Sequence, residues 1–171
     1  NVMIFYNRSA WDGNDPAANA ADDQAIATDK HALRAGEKAT FANYTSYSRG
    51  INGIMIDISH LARPDVLSVA DFEFRVGNTD SPAGWPLLAL NPAQITVAVR
   101  PGEGVDGSDR VTIVFPDGAV KKTWLQVTVK ATEATGLAAP DVHYWGNAIG
   151  DSGNSPTDTA VNVVDALGVR A

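Results

Sequence analysis

The clearest chemical pattern lies near the C-terminus, where oxygen-bearing side chains recur at the spacing of a calcium loop. Counted as such a loop, Asn154 occupies position 1, Asp158 position 5, Asn162 position 9 and Asp165 position 12. Calcium takes about six to eight oxygen ligands. The four side chains, with the backbone carbonyl of Ala160 at position 7, can therefore surround one ion. We expect a Ca²⁺ site in this segment.

The same segment resembles one half of a type I dockerin, whose repeats read D-x-N-x-D-G-x-V-N-x-x-D before a short helix. Val161 matches the apolar position 8 of that repeat. Two positions depart from it, since Pro156 stands at ligand position 3 and Thr159 replaces the glycine at position 6. No second repeat follows before Ala171. An Asx-rich turn that leads into a helix has the same residue types, and this alternative stays open.

A second group of oxygen-bearing side chains lies in the N-terminal part of the chain. It consists of Asp12, Asn14, Asp15, Asp22, Asp23 and Asp29. Acidic groups crowd together in this way when a cation neutralises them or when water screens them. The segment therefore predicts a second calcium site, and a solvated acidic loop is the alternative.

Aromatic residues outside the regular patterns are candidates for sugar contacts, because an exposed indole ring can stack on the apolar face of a pyranose. Trp85 lies in a proline-flanked loop, Trp11 adjoins the acidic segment, and Trp145 alternates with Tyr144, so that one of these two faces outward. The stretch 43–52 is polar and aromatic, typical of a binding face or a protected edge strand. The predicted ligand-binding residues are Trp11, Tyr47, Arg49, Trp85 and Trp145. The alternative for the loop tryptophans is that they plug the ends of the fold.

Apolar residues alternate with polar ones through most of the chain, which predicts strands with one solvated face. The fold class that we expect is an all-β antiparallel sandwich, jelly-roll or immunoglobulin-like, with one or two short helices at 15–29 and 160–168. Pro116-Asp117-Gly118 between two alternating runs predicts a hairpin. The predicted inward residues are Phe72, Phe74, Ile95, Val97, Val111, Ile113, Val127 and Val129.

Composition limits the function classes. The 171 residues are 44% hydrophobic, enough for a core, and carry a net charge of −7, which argues against nucleic-acid binding. The absence of cysteine excludes disulfides and thiolate chemistry. No run of residues is long enough to cross a membrane. The three histidines are scattered and no G-x-S-x-G motif occurs. Catalysis has little support, although a pair of glycosidase carboxylates stays open.

The body of the chain resembles β-sandwich modules of large secreted bacterial proteins, often found beside carbohydrate-active enzymes. We expect a sandwich module over 1–150 and a calcium loop with a short helix over 151–171, as part of the domain or an appendage. The resemblance implies a non-catalytic, calcium-stabilised extracellular module, monomeric within a longer chain, that binds a polysaccharide or cell-surface glycan. A structural or protein-interaction module is the alternative, and a glycan-active enzyme is the second alternative.

Overall fold

The computed structural model of the protein describes residues 1–155, 161, 162, 164 and 165. Two four-stranded sheets form an all-β sandwich, so the predicted fold class is confirmed. The strands are β1 (Val2–Ile4), β2 (Tyr44–Thr45), β3 (Gly53–Ile58), β4 (Phe72–Gly77), β5 (Thr96–Arg100), β6 (Asp109–Val114), β7 (Trp124–Val129) and β8 (Asp141–Asn147).

The first sheet has the strand order β1-β3-β6-β5, and all of its pairs are antiparallel. The second sheet has the order β2-β8-β7-β4 and is antiparallel except for the short parallel pair of β2 and β8. Several neighbouring strands, such as β3 and β6, are not consecutive in sequence. This is expected when the connections between strands cross from one sheet of a sandwich to the other.

The inner faces of the two sheets form the main core. Phe74 of β4 packs edge-on against Phe115, with ring centroids 5.0 Å apart, and Leu125 and Trp145 are fully buried beside them. The inward prediction is confirmed for Phe72, Phe74, Val111, Ile113, Val127 and Val129. Ile95 and Val97 pack on the core but stay partly exposed, because β5 is an edge strand with a neighbour on one side only.

The outer faces of the two sheets differ. The chain between Phe5 and Lys30 covers the first sheet, where Phe5, Ala25, Met55 and Val114 form a second apolar cluster. All six residues of β3 are consequently buried. Among the described residues, the outer face of the second sheet is covered less completely, since the alternate residues of β7 are partly exposed. This difference leaves part of the second sheet accessible to a ligand.

The turn at Pro116–Gly118 is not a hairpin turn. It follows β6 in the first sheet and leads, through residues 119–123, to β7 in the second sheet. Val120 in this connection is fully buried, and its carbonyl accepts a hydrogen bond from Ile51 N at 2.8 Å. The turn chemistry is as expected, but the hairpin prediction is wrong because the chain crosses from one layer to the other.

Helical structure among the described residues is short. The predicted helix over 15–29 is reduced to one 3₁₀ segment, Ala20–Ala25, which is capped by Asn19. Of the predicted helix over 160–168, four residues are described: 164 and 165 are helical, whereas 161 and 162 are not. The 3₁₀ segments are Ala20–Ala25, Phe41–Asn43, Val69–Asp71, Pro82–Gly84, Pro92–Gln94 and Val105–Gly107. None of the described helices has the length and apolarity needed to span a membrane.

Candidate functional site

A row of aromatic residues and glycines runs across the outer face of the second sheet. Trp124 on β7 is in register with Gly77 on one side and with Gly146 on the other, and Gly146 is in register with Tyr44. Residues in register on neighbouring strands point to the same face of a sheet. The row therefore places the Trp124 ring on the outer face, at the end of the sheet where β7 begins.

The two glycines of this row allow the rings to contact the backbone of the sheet. A Cβ atom at Gly77 would lie 2.4 Å from the Trp85 ring. A Cβ atom at Gly146 would lie 2.6 Å from Cβ of Tyr44 and 3.2 Å from the Trp124 ring. Because real Cβ atoms do not approach so closely, any other residue would push these rings outward.

Two adjoining clefts open on either side of Trp124, and both are also lined by Asn78. Their volumes are about 500 Å³ and about 580 Å³. The first is lined further by Tyr44, Lys122, Thr123, Asn147 and Val161. The second is lined further by Arg34, Glu37, Thr79, Asp80, Trp85 and Tyr144. We call this surface the Trp124 groove, with Tyr44, Asn78, Trp85, Trp124 and Tyr144 as its defining residues.

Trp85 forms a fixed wall of the groove. Its Nε1 donates to the hydroxyl of Thr79 at 3.0 Å and to the Thr79 carbonyl at 3.2 Å. Arg75 on β4 donates to the Trp85 carbonyl at 2.8 Å, which ties the 82–86 loop to the sheet. With only 6% of its surface exposed, Trp85 presents an edge rather than a full ring face. Trp85 was predicted to stack on a sugar through its exposed ring. In the structure it lines the second cleft instead.

Tyr144 stands beside Trp85, with ring centroids 6.1 Å apart in an edge-to-face arrangement. Its hydroxyl accepts a hydrogen bond from Gln126 Nε2 at 3.0 Å. Its backbone exchanges two hydrogen bonds of 3.0 Å with Leu33. The polar rim of the groove is held in a similar way, since Asn78 Nδ2 donates to the Lys122 carbonyl at 3.2 Å. The groove is therefore preformed.

Trp145 does not belong to this surface. It is paired with Leu125 on the inner face, and none of its surface is exposed. A sugar cannot reach its ring in the folded protein, so the prediction of a ligand contact at Trp145 is corrected. Of the alternating pair, Tyr144 is the outward residue. The spacing of Trp124 from the inward residues Val127 and Val129 places it on the outward side of its strand, but no sequence signal sets it apart as a binding residue.

The other three predicted ligand residues, Trp11, Tyr47 and Arg49, come together on a different surface. The Tyr6 ring lies between the rings of Trp11 and Tyr47, with centroid distances of 5.8 and 4.9 Å. Arg49 contacts Asp117 at 2.6 Å beside them. No sequence pattern joins Trp11 to Tyr47 and Arg49, because they lie 36 and 38 positions apart and meet through tertiary structure.

The six oxygen-bearing residues of the N-terminal segment do not surround one centre. Asp23 pairs with Arg100 and Arg110, and Asp29 pairs with Lys30 at 3.2 Å. Asp12 accepts backbone hydrogen bonds from Arg8 and Asn14 at 2.6 and 2.9 Å, and Asp15 accepts from Ala17 N and from the Asn19 side chain. The Asn14 side chain is exposed. Across 1–155 and the four described residues beyond, no three His, Asp or Glu side chains are placed to hold a metal ion.

Asp22 differs from the other carboxylates of this segment, since one of its oxygens is buried without a hydrogen-bond partner in the described part of the chain. The residue is fully buried, and one carboxylate oxygen accepts a hydrogen bond from Asn19 N at 2.8 Å. The other oxygen has no partner among the described residues. Burial, reinforced by the negative charges of Asp12 and Asp15, raises the pKa of Asp22 to about 6.

In the C-terminal segment, Asp165 is bound to the chain around it. One of its oxygens accepts hydrogen bonds from Ser152 N and Oγ at 2.8 and 2.9 Å, and the other accepts from Asn162 N at 2.8 Å. The hydrogen bonds from the Ser152 and Asn162 backbones lower the pKa of Asp165. Asn154 is described as well, whereas Asp158 and Ala160 lie outside the described residues. The calcium site proposed for this segment stays a prediction.

Comparison of the chain with protein-family models, with curated proteins and with solved structures found no match.

Proposed function

We propose that this chain is a non-catalytic carbohydrate-binding module of a secreted protein, and that it binds a polysaccharide in the Trp124 groove. The observation that supports this most is the position of the Trp124 ring. It is partly exposed on the outer face of the second sheet, between two clefts of about 500 and about 580 Å³. Pockets of roughly 300–1,000 Å³ are typical of small-ligand sites in proteins.

The chemistry of the groove suits a sugar chain. An indole ring offers an apolar surface for the C–H face of a pyranose, and its removal from water on binding is favourable. Asn78, Thr79 and Asp80 at the rim offer amide, hydroxyl and carboxylate groups for sugar hydroxyls. In the second cleft Arg34 is already paired with Asp141 at 2.7 Å, and Glu37 and Asp80 add negative charge, which favours an uncharged ligand over an anionic one.

The arrangement of the clefts also favours an extended ligand. Both clefts share Trp124 and Asn78, so a ligand that fills them in sequence passes over the same ring and the same amide. A single sugar would use one cleft only. We therefore expect affinity to rise with chain length until both clefts are filled, and we expect neutral polysaccharides to be retained better than their monosaccharides.

The test is retention of the full chain on a panel of neutral insoluble polysaccharides and on a glycan array, for the wild type and for Trp124→Ala. We expect the variant to lose at least about tenfold in affinity, since buried aromatic contacts of this kind are worth more than about 1.4 kcal/mol. Its melting temperature should change little, because the ring lies on the outer face. Val105→Ala, an exposed apolar residue elsewhere on the surface, is the control. Undiminished binding by Trp124→Ala would refute the assignment of the groove.

Calcium belongs to the same proposal as a stabilising ion in the C-terminal segment. Its support is that Asn162 and Asp165, two of the predicted ligands, lie next to each other through the hydrogen bond from Asn162 N to Asp165. Asp151, also nearby, is held by the hydroxyl of Tyr44 at 2.9 Å. An ion bound here would therefore stabilise the segment that borders the first cleft.

A further inference from the structure

We infer that the chain has a second ligand site, separate from the Trp124 groove, that binds an anionic sugar of an acidic polysaccharide. The site consists of Tyr6, Arg8, Trp11, Tyr47, Arg49 and Asp117, and we call it the Trp11 patch. It is formed by loops near the N-terminus and by the turn that leads out of the first sheet. The inference does not depend on the function proposed for the groove, because the two surfaces share no residue.

Trp11 offers the most exposed large apolar side chain of the patch, with 64% of its surface accessible. One side of the ring is supported by Tyr6 at 5.8 Å, and Tyr6 is supported in turn by Tyr47 at 4.9 Å. The part of the Trp11 ring that Tyr6 does not support stays exposed to water, and the exposure of this apolar surface is unfavourable in free energy. Exposed apolar surface of this kind marks binding sites.

The loop that carries Trp11 is ordered by short-range hydrogen bonds. Ser9 Oγ accepts from Trp11 N at 3.2 Å, and Ser9 O accepts from Asn14 N at 2.7 Å. Asp12 accepts from Arg8 N at 2.6 Å, and Arg8 has a φ of 60°, in the left-handed region that non-glycine residues rarely adopt. Strained backbone that is held by its surroundings is common at binding sites. The ring is therefore preorganised, which reduces the entropy lost on binding.

The charges of the patch provide its selectivity. Arg8 and Arg49 contact the same oxygen of Asp117, at 3.3 and 2.6 Å. The other Asp117 oxygen accepts from Asn52 Nδ2 at 2.9 Å. Two guanidinium groups thus share one surface carboxylate, and both arginine side chains stay nearly half exposed. Asp12, another carboxylate in the loop that carries Trp11, is buried.

Arginine forms strong, directional hydrogen bonds with carboxylate and sulfate groups. A pyranose that stacks on Trp11 and carries such a group uses both parts of the patch, whereas a neutral sugar leaves the arginines unused. The net charge of −7 repels a polyanion at long range. At physiological ionic strength the screening length is about 8 Å, so contacts within the patch decide the affinity.

The test is isothermal titration of the full chain with oligomers of a polyuronate, with their carboxyl-reduced form and with oligomers of a sulfated galactan. EDTA is present throughout, so that calcium cannot bridge ligand and protein. We expect the uronate or the sulfated oligomers to bind, and Trp11→Ala and Arg49→Gln each to reduce that affinity at least tenfold. We expect Trp124→Ala to bind them like the wild type, and Trp11→Ala to leave retention on neutral polysaccharides unchanged.

Melting curves of each variant separate lost binding from lost folding. If Arg49→Gln unfolds, Arg49→Lys replaces it, since it keeps the charge but loses the planar fork, and we expect it to bind more weakly than the wild type. Equal binding of the carboxyl-reduced oligomers would overturn the inference, as would full affinity in folded Trp11→Ala. Loss of anionic binding in Trp124→Ala would also overturn it, because it would place the ligand in the groove.

Discussion

Asp22 carries an ionisable group in an environment that disfavours its charge. Its side chain is fully buried, one oxygen has no partner among the described residues, and the pKa is raised from 3.8 to about 6. The folded state therefore holds this proton more tightly than the unfolded chain does. The corresponding stabilisation is complete below pH 3.8 and is lost as the pH rises through about 6.

Replacing Asp22 with Asn should remove the loss of stability that accompanies ionisation of Asp22 at higher pH. An amide keeps an oxygen for Asn19 N but carries no charge, so we expect Asp22→Asn to be more stable than the wild type by about 1–2 kcal/mol at pH 7.5 and nearly equal to it at pH 4. The measurement is urea unfolding at both pH values, with EDTA present. Asp15→Asn in the same segment is the control, because Asp15 is hydrogen-bonded and its pKa is lowered. A destabilised Asp22→Asn at pH 7.5 would show that the charge has a partner.

The residues of the groove show which features of a site a sequence can reveal. The inward residues Val127 and Val129 place Trp124 on the outward side of the strand, because the period of a strand is two residues. The roles of Tyr144 and Trp145 could not be assigned in the same way, since both are aromatic and adjacent. The register of β8 against β7, which pairs Trp145 with the inward Leu125, decides between them. That register depends on tertiary structure.

At the scale of elements, the close contacts of glycines with rings make Gly77 sensitive to substitution. In Gly77→Ala, the new methyl group would lie 2.4 Å from the Trp85 ring and displace the 82–86 loop. We expect a loss of about 1–3 kcal/mol in the free energy of unfolding, as in overpacked sites, and weaker binding in the second cleft. In Gly84→Ala, a variant of the same loop, the new methyl group has no atom within 4 Å. This variant should leave the free energy of unfolding and the binding in the second cleft unchanged. Equal melting curves for the two variants would contradict the packing described for Trp85.

The connection from β6 to β7 shows why the hairpin prediction was wrong. Pro116-Asp117-Gly118 has the residue types of a tight turn, and turn chemistry depends on local dihedral angles. Whether the following strand pairs with the preceding one depends instead on where the buried residues of the connection pack. Val120 packs into the core between the sheets, which directs the chain into the other layer.

At the scale of the whole molecule, the fold class followed from the alternation of apolar residues, whereas the partners of the N-terminal carboxylates did not follow from composition. Asp23 is neutralised by Arg100 and Arg110, which lie more than 75 positions away in the chain. A count of local carboxylates cannot include cations that a distant strand supplies. Long-range ion pairs of this kind are therefore the physical reason that Asp23 has cationic partners which its local sequence does not show.

Calcium at the C-terminal segment predicts a stability effect that extends to the whole domain. An ion that binds only the folded chain stabilises it by about 2.7 kcal/mol at a hundredfold excess over its Kd. We expect EDTA to lower the melting temperature of the wild type and calcium to restore it, with neither effect in Asp165→Ala. Asp22→Asn should respond to calcium like the wild type. A wild-type melting curve that chelator leaves unmoved, with no calcium detected by metal analysis, would exclude the site.

The most direct test of the central claim, that the Trp124 groove binds a neutral sugar chain, is nuclear magnetic resonance of the indole N–H groups during titration with a neutral oligosaccharide. The chain has four tryptophans, and single substitutions assign their signals. We predict that the Trp124 signal shifts saturably and the Trp85 signal less, while the signals of exposed Trp11 and buried Trp145 stay in place. A saturable shift at Trp11 with no change at Trp124 would contradict the account.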